Sequence, residues 1–144
     1  MRAVVTRVSE ASVRVDEKIT GKIGMGFLIL LGIRNTDTQE DAKKLAAKIC
    51  NLRIFRDEND KMNLDLKTAG GEILVISQFT LYADTSSRRP GFTEAAKPDI
   101  AVPLYELFIS LCRDFGYNVQ TGVFGAMMDV YSVNDGPVTI ILES

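Results

Sequence analysis

Histidine is absent from this chain, and that absence excludes more chemistry than any other feature of the sequence. The usual general base near neutral pH is missing, so neither a Ser-His-Asp nor a Cys-His site can be assembled within one chain. No Cys/His spacing of the kind that holds zinc exists, the carboxylates form no paired motif, and neither a metal nor a cofactor site is expected. Only two cysteines occur, Cys50 and Cys112. Both fall in helical patterns and read as buried, reduced thiols of a cytoplasmic protein, the other reading being a nucleophile. No Gly-rich phosphate loop follows a strand pattern; Gly24-Met25-Gly26 is too short and reads as a turn. No apolar run reaches the roughly 20 residues of a membrane span, and Met1–Val5 does not open a signal peptide. Positive charge is not in excess either: 17 Lys and Arg against 19 Asp and Glu leave a net charge of −2. That argues against a broad nucleic-acid footprint but allows a small contact with one end of an RNA.

What is present is an ordinary globular composition, 46% hydrophobic and 25% charged, of a length that fits one domain over residues 1–144. At this size one core buries about two-thirds of the unfolded chain's surface. Residues 3–8 and Ala11–Val15 read as strands, Asp16-Glu17-Lys18 as a turn, and Ile19–Ile23 as a returning arm. Phe27–Ile33 is an apolar run bounded by glycines, the pattern of a central strand. Thr38 with Asp41 three residues on predicts a helix start, and Ala42, Leu45, Ala46, Ile49 and Leu52 give it an apolar stripe. Lys43, Lys44 and Lys48 lie mostly off that stripe, as a solvated face or a weak RNA-facing patch. Arg56–Asp60 is a polar turn. A strand is expected over Glu72–Thr80, then a long loop from Tyr82 to Asp99. A second helix is expected from Pro103, where a first-turn proline is tolerated, to Phe115, with Gly116 as the stop. Asn118–Val123, Met127–Val133 and Val138–Leu142 read as three closing strands. The fold class is mixed α/β: one curved, largely antiparallel sheet with two helices on one face. Its other face is left partly apolar, which invites a homodimer.

Two short segments remain for chemistry. Ser77-Gln78-Phe79-Thr80 ends the apolar run Glu72–Ile76. Residues three apart in a strand point to opposite faces, so Ser77 and Thr80 share a site only if the strand breaks near Phe79; otherwise they are strand-end hydroxyls bonded to backbone. Phe79 is core, or at a pocket edge it packs on a nucleobase or ribose. Asn134-Asp135-Gly136-Pro137 is the second segment. Asn-Asp-Gly reads as a hairpin turn. About 5–6% of X-Pro bonds are cis in folded proteins, so the residues alone favour trans.

Both segments resemble the signatures of the D-aminoacyl-tRNA deacylases: Ser77-Gln78-Phe79-Thr80-Leu81 and Asn134-Asp135-Gly136-Pro137-Val138-Thr139. The likeness extends across the chain, through residues 7–13, Leu52–Phe55, Lys61–Leu64, Phe92–Ala96, Phe124–Ala126 and Met128. Ser86-Ser87 and Gly91 depart from it in the long loop, which bears on tRNA contacts more than on the active site. The resemblance implies a homodimer that hydrolyses the ester between a D-amino acid and the terminal adenosine of tRNA, a step of translation quality control. It implies a cis Gly136–Pro137 bond inserted into the partner's pocket, its two carbonyls facing the substrate α-amino group. An L-side chain would strike that backbone, a D-side chain would point outward, and glycine would escape the filter. Arg7 would orient the motif, Phe79 and Phe124 would contact adenosine, and Gln78 with the Phe79–Thr80 backbone would line the scissile carbonyl. For the attack itself two routes stay open: direct attack by water, which is preferred, or Thr80 as a covalent nucleophile, which lacks an activating base. Arg88, Arg89 and Lys97 are candidate phosphate contacts or solvated loop charges. The competing classes are a non-catalytic RNA- or nucleotide-binding dimer and a conventional serine or cysteine hydrolase.

Overall fold

The computed structural model describes residues 1–144. In order the chain forms β1 (Arg2–Val15), β2 (Lys18–Ile23), β3 (Gly26–Gly32), α1 (Gln39–Cys50), β4 (Phe55–Arg56) and β5 (Met62–Leu64). It continues through α2 (Leu66–Ala69), β6 (Glu72–Ser77), a 3-10 turn (Phe79–Tyr82), α3 (Pro98–Asp114), β7 (Val119–Thr121) and β8 (Asp129–Glu143). β1 is the spine. One of its edges pairs antiparallel with β3 and then β2, and the other pairs antiparallel with β8 along almost its whole length. β3, β6 and β7 run parallel, which requires crossover connections long enough to hold the helices. The sheet is therefore mixed. It curves nearly into a barrel, bringing β2 against β7: a Cβ added at Gly21 would lie 2.6 Å from the Thr121 carbonyl oxygen.

The apolar runs of β3 and β6 are continuous because both faces of these strands are buried. Phe27, Ile29, Leu31, Ile73 and Val75 face α1 and α3 in a cluster of 25 buried residues. Leu28, Leu74 and Ile76 face the other way, with Val8, Ala11, Val13 and Ile23. Both long helices thus lie on one face, as expected, through Leu45, Ile49, Leu104 and Phe108; burying each such side chain contributes about 1.5–3 kcal/mol. α1 starts where predicted. The Asp41 carboxylate accepts from the Thr38 N–H at 2.8 Å and its hydroxyl at 3.0 Å, and these bonds, the backbone one first, hold Asp41 down at about 2. No helix is long and apolar enough to cross a membrane.

Four boundaries differ from expectation. α3 begins at Pro98, where a missing N–H costs nothing, so Pro103 lies inside the helix and the loop before it shortens. A third helix, the single turn α2, is set by Asp65, which accepts from Thr68 N at 2.8 Å, and by left-handed Gly70; four residues are too few for an apolar stripe to announce it. β6 stops at Ser77 instead of Thr80. The two last expected strands are one, β8, with no hairpin at Asn134-Asp135-Gly136. Thr6 pairs with Thr139 and Val8 with Asn134, so Asp135–Val138, four residues, oppose Arg7 alone. Pro137 has no N–H for the ladder and Gly136 sits at φ +119°, so the strand continues but bulges.

Candidate active site

After Ser77 the backbone turns at Gln78 (φ −142°, ψ 77°) into the 3-10 turn Phe79–Tyr82. The Gln78 N–H donates to Leu31 O at 2.8 Å, which ties the turn to the end of β3. Gly32 permits this approach: a Cβ there would lie 3.0 Å from Leu81 Cβ and 3.1 Å from Gln78 O. The strand break is what the sequence required for Ser77 and Thr80 to share a site, and they do.

Ser77, Gln78, Phe79 and Thr80 form one wall of a cavity of about 430 Å³, and Phe124–Met128 form another. Leu31, Ile33, Ala96 and Ala101 also line it, and 11 of its 15 lining residues are hydrophobic, a surface suited to a nucleobase. Phe124 is braced by Tyr105, whose ring lies 5.6 Å away and whose hydroxyl donates to Val75 O at 3.0 Å. Burial pushes the Tyr105 phenol up to about 12, so it stays protonated.

No ionisable side chain lines the cavity. The Gln78 amide Nε2 donates to Thr80 Oγ1 at 2.6 Å, which occupies a lone pair of the hydroxyl and offers no base to take its proton. The N–H groups of Phe79 and Thr80 are the first two of the 3-10 turn, ahead of any carbonyl of the turn itself that could accept from them. The arrangement suits an apolar ligand and presents backbone amides to an oxygen beside it.

Arg7, Gly136 and Pro137 form a separate group that does not line this cavity. The Arg7 side chain is 2% exposed. It donates from Nη1 to Ile54 O at 2.6 Å and from Nε to Asp135 O at 3.3 Å, and Nε pairs with Asp135 Oδ2 at 3.0 Å. The Gly136–Pro137 peptide is cis, and both residues are exposed. A Cβ on Gly136 would meet Val138 Cγ2 at 2.9 Å and Arg7 NH2 at 3.0 Å. Arg7 thus fastens the base of the bulge while its tip stays free.

The family model described as D-Tyr-tRNA(Tyr) deacylase matches residues 4–143. The chain belongs to this family. Among its relatives, the protein named D-aminoacyl-tRNA deacylase from Bacillus velezensis is 57% identical over 100% of this chain and 99% of its own length. The one so named from Thermosipho africanus is 55% identical over 100% and 97%. The solved structure of a protein named c-Myc DNA Unwinding Element Binding Protein is 41% identical, with a TM-score of 0.94 over 100% of this chain and 99% of that one. The structure of a probable eukaryotic D-amino acid tRNA deacylase, 18% identical, shares the fold at a TM-score of 0.85 over 99% and 98%.

In this deacylase-family chain the two signature segments fall in separate places, Ser77–Thr80 in the cavity and Gly136-Pro137 on the bulge. The residue-level reading missed the cavity's other lining. Ala96 had been named only within the resembling segment Phe92–Ala96; Ala101 went unnoticed because the start of α3 was placed five residues late, and Met127, 92% exposed at the rim, because it was placed in a strand. Cys50 and Cys112 lie in the core; the hydrogen bond that the Cys112 thiol donates to Cys50, and burial, push that thiol up, which suits an inert side chain.

Proposed function

We propose that this chain is a D-aminoacyl-tRNA deacylase that hydrolyses the ester joining a D-amino acid, and also glycine, to the terminal adenosine of tRNA. The observation that carries this reading is the cavity built on Ser77–Thr80, without an ionisable side chain, in a chain of the deacylase family. Phe79 and Phe124 hold the adenosine. Gln78 and the Phe79–Thr80 backbone flank the scissile carbonyl, and the two N–H groups that open the 3-10 turn stabilise the oxyanion as it forms; one such donor is worth ~3–4 kcal/mol. Water attacks an ester that is already activated, and the ribose 2′-hydroxyl of the substrate assists the proton transfer that no side chain can perform. Ser77 and Thr80 line the site, with Thr80 free to donate its proton because Gln78 fills the acceptor side.

Chirality is read by backbone. The protein acts as a homodimer in which the Gly136-Pro137 bulge of one subunit enters the other's cavity. Its carbonyls accept from the substrate ammonium group. With ammonium and ester both fixed, an L-side chain collides with the bulge, a D-side chain points away and glycine passes. Most of the large exposed apolar side chains support the dimer: Val130, Tyr131, Val133 and Ile141 lie on β8, and Phe79 and Met127 at the cavity. Such a proofreading enzyme works in the cytoplasm and needs no metal.

The rival reading is a non-catalytic nucleic-acid-binding dimer, favoured by the 41% identical structure, that of a protein named for binding DNA. Deacylation of a D-aminoacyl-tRNA by the purified chain separates the two. Release of the amino acid at catalytic enzyme concentration supports the enzyme, and binding without release supports the module.

A further inference from the structure

Beside the cavity, and continuous with its wall residue Phe79, lies an aromatic and basic surface that the reaction does not otherwise use. Phe79 is 57% exposed and Phe92 38%; their ring centroids are 5.1 Å apart and their planes meet at 69°. Phe92 closes a hairpin fixed by two backbone bonds, Asp84 N to Gly91 O at 2.8 Å and Gly91 N to Asp84 O at 2.9 Å. Inside it Ser86 N donates to Asp84 Oδ1 and Ser87 Oγ to Arg89 O. The following residues are stitched to the cavity rim: Asn35 Nδ2 donates to Thr93 O at 2.8 Å, and Ala96 N to Ile33 O at 2.9 Å. Residues 85–93 carry Arg88 and Arg89 and no carboxylate. Neither arginine makes an ion pair. Asp84, the nearest acid in sequence, is turned onto Ser86, whose backbone N–H holds its carboxyl below the usual range.

Aromatic faces flanked by unpaired arginines are what single-stranded nucleic acid requires, because every base has a face to stack and every link a phosphate. We propose that Phe92 and the Asp84–Gly91 hairpin form a second nucleotide subsite. The penultimate base of the acceptor end stacks on Phe92, and Arg88 and Arg89 hold the phosphates beside it. The 69° between the rings fits two successive bases unstacked from each other, the splayed form in which single-stranded RNA is read. This subsite rests on the reading of the Phe79–Phe124 cavity as the seat of the terminal adenosine.

The test compares two substrates that share the ester, D-aminoacyl-tRNA and D-aminoacyl-adenosine, which has no second nucleotide. Phe92→Ala is expected to lower the ratio of kcat/KM on tRNA to kcat/KM on the adenosine ester by about tenfold, and Phe92→Tyr to restore it. Arg88→Ala with Arg89→Ala is expected to reduce the salt slope on tRNA by about 1.4, two single-strand phosphate contacts. Lys18→Ala, exposed at the start of β2, serves as the control that changes neither. An unchanged ratio in Phe92→Ala, whether both substrates suffer equally or neither does, overturns the subsite. If the parent protein hydrolyses neither ester, the deacylase reading fails by itself. Binding of a CCA-ended RNA against adenosine alone then decides the subsite: tighter RNA binding that Phe92→Ala abolishes supports it, and equal binding overturns it.

Discussion

Removing the guanidinium of Arg7 should loosen the Gly136-Pro137 bulge at a cost that can be worked from its contacts. Arg7→Met keeps the buried stem but strips three interactions. Ile54 O, accepting at 2.6 Å in a buried position, is left without a donor, which costs about 1–3 kcal/mol. The Asp135 carboxylate is 50% exposed, so water replaces its pairing and that loss is about 0–1 kcal/mol. Asp135 O loses a 3.3 Å bond worth about 0.5–1.5 kcal/mol. Together these come to about 1.5–5.5 kcal/mol. Arg7→Ala adds the lost packing of the stem and should cost more than Arg7→Met, whereas Asp135→Asn should cost about 1 kcal/mol or less. Urea denaturation with linear extrapolation gives all three values. If Asp135→Asn costs as much as Arg7→Met, the ion pair and not the buried carbonyl carries the anchor, and the reasoning is refuted.

Thr80→Ala should retain turnover within about tenfold, as a binding-wall residue; complete loss with the fold and tRNA binding intact would establish the hydroxyl as nucleophile. Val133→Asp combined with Ile141→Asp places charges on the apolar face of β8 and should yield a monomer by light scattering with loss of deacylation, and an active monomer would exclude a site completed by the partner. Burial holds Tyr82, Tyr105 and Tyr117 up to about 12, against an ordinary value of 10.0. The unfolded chain then releases these protons first, so their contribution to stability is complete below pH 10 and lost as pH rises to about 12. Urea melts across that window, with tyrosinate absorbance, should show the loss, reduced in Tyr105→Phe.

The long periodic elements were legible because their patterns follow burial. α1 carries a stripe with a polar start at Thr38, and β3 and β6 read as unbroken apolar runs because each is covered on both faces. Pro103 misled because proline is expected in a first turn, while the residue in that role was Pro98, five positions earlier. The Asn134-Asp135-Gly136 turn was misread for a different reason: local turn chemistry was satisfied by a bulge in a strand held on its inner side by Arg7, a partner 128 residues away. In the site, the segments Ser77–Thr80 and Gly136-Pro137 were legible by resemblance, and the strand break that unites Ser77 with Thr80 was stated as a condition. Ala101 and Met127 were not legible as lining, since small and apolar side chains at a rim look like any others until the fold brings them together.

The central claim is that a cavity without a base hydrolyses one enantiomer because backbone, not side-chain chemistry, decides which ester fits. It is tested most directly by charging one tRNA with the D- and the L-form of the same amino acid and measuring single-turnover deacylation of each. The account predicts release from the D-ester and from glycyl-tRNA, with the L-ester left intact over the same time. Equal release from both enantiomers, or release from neither, would contradict it.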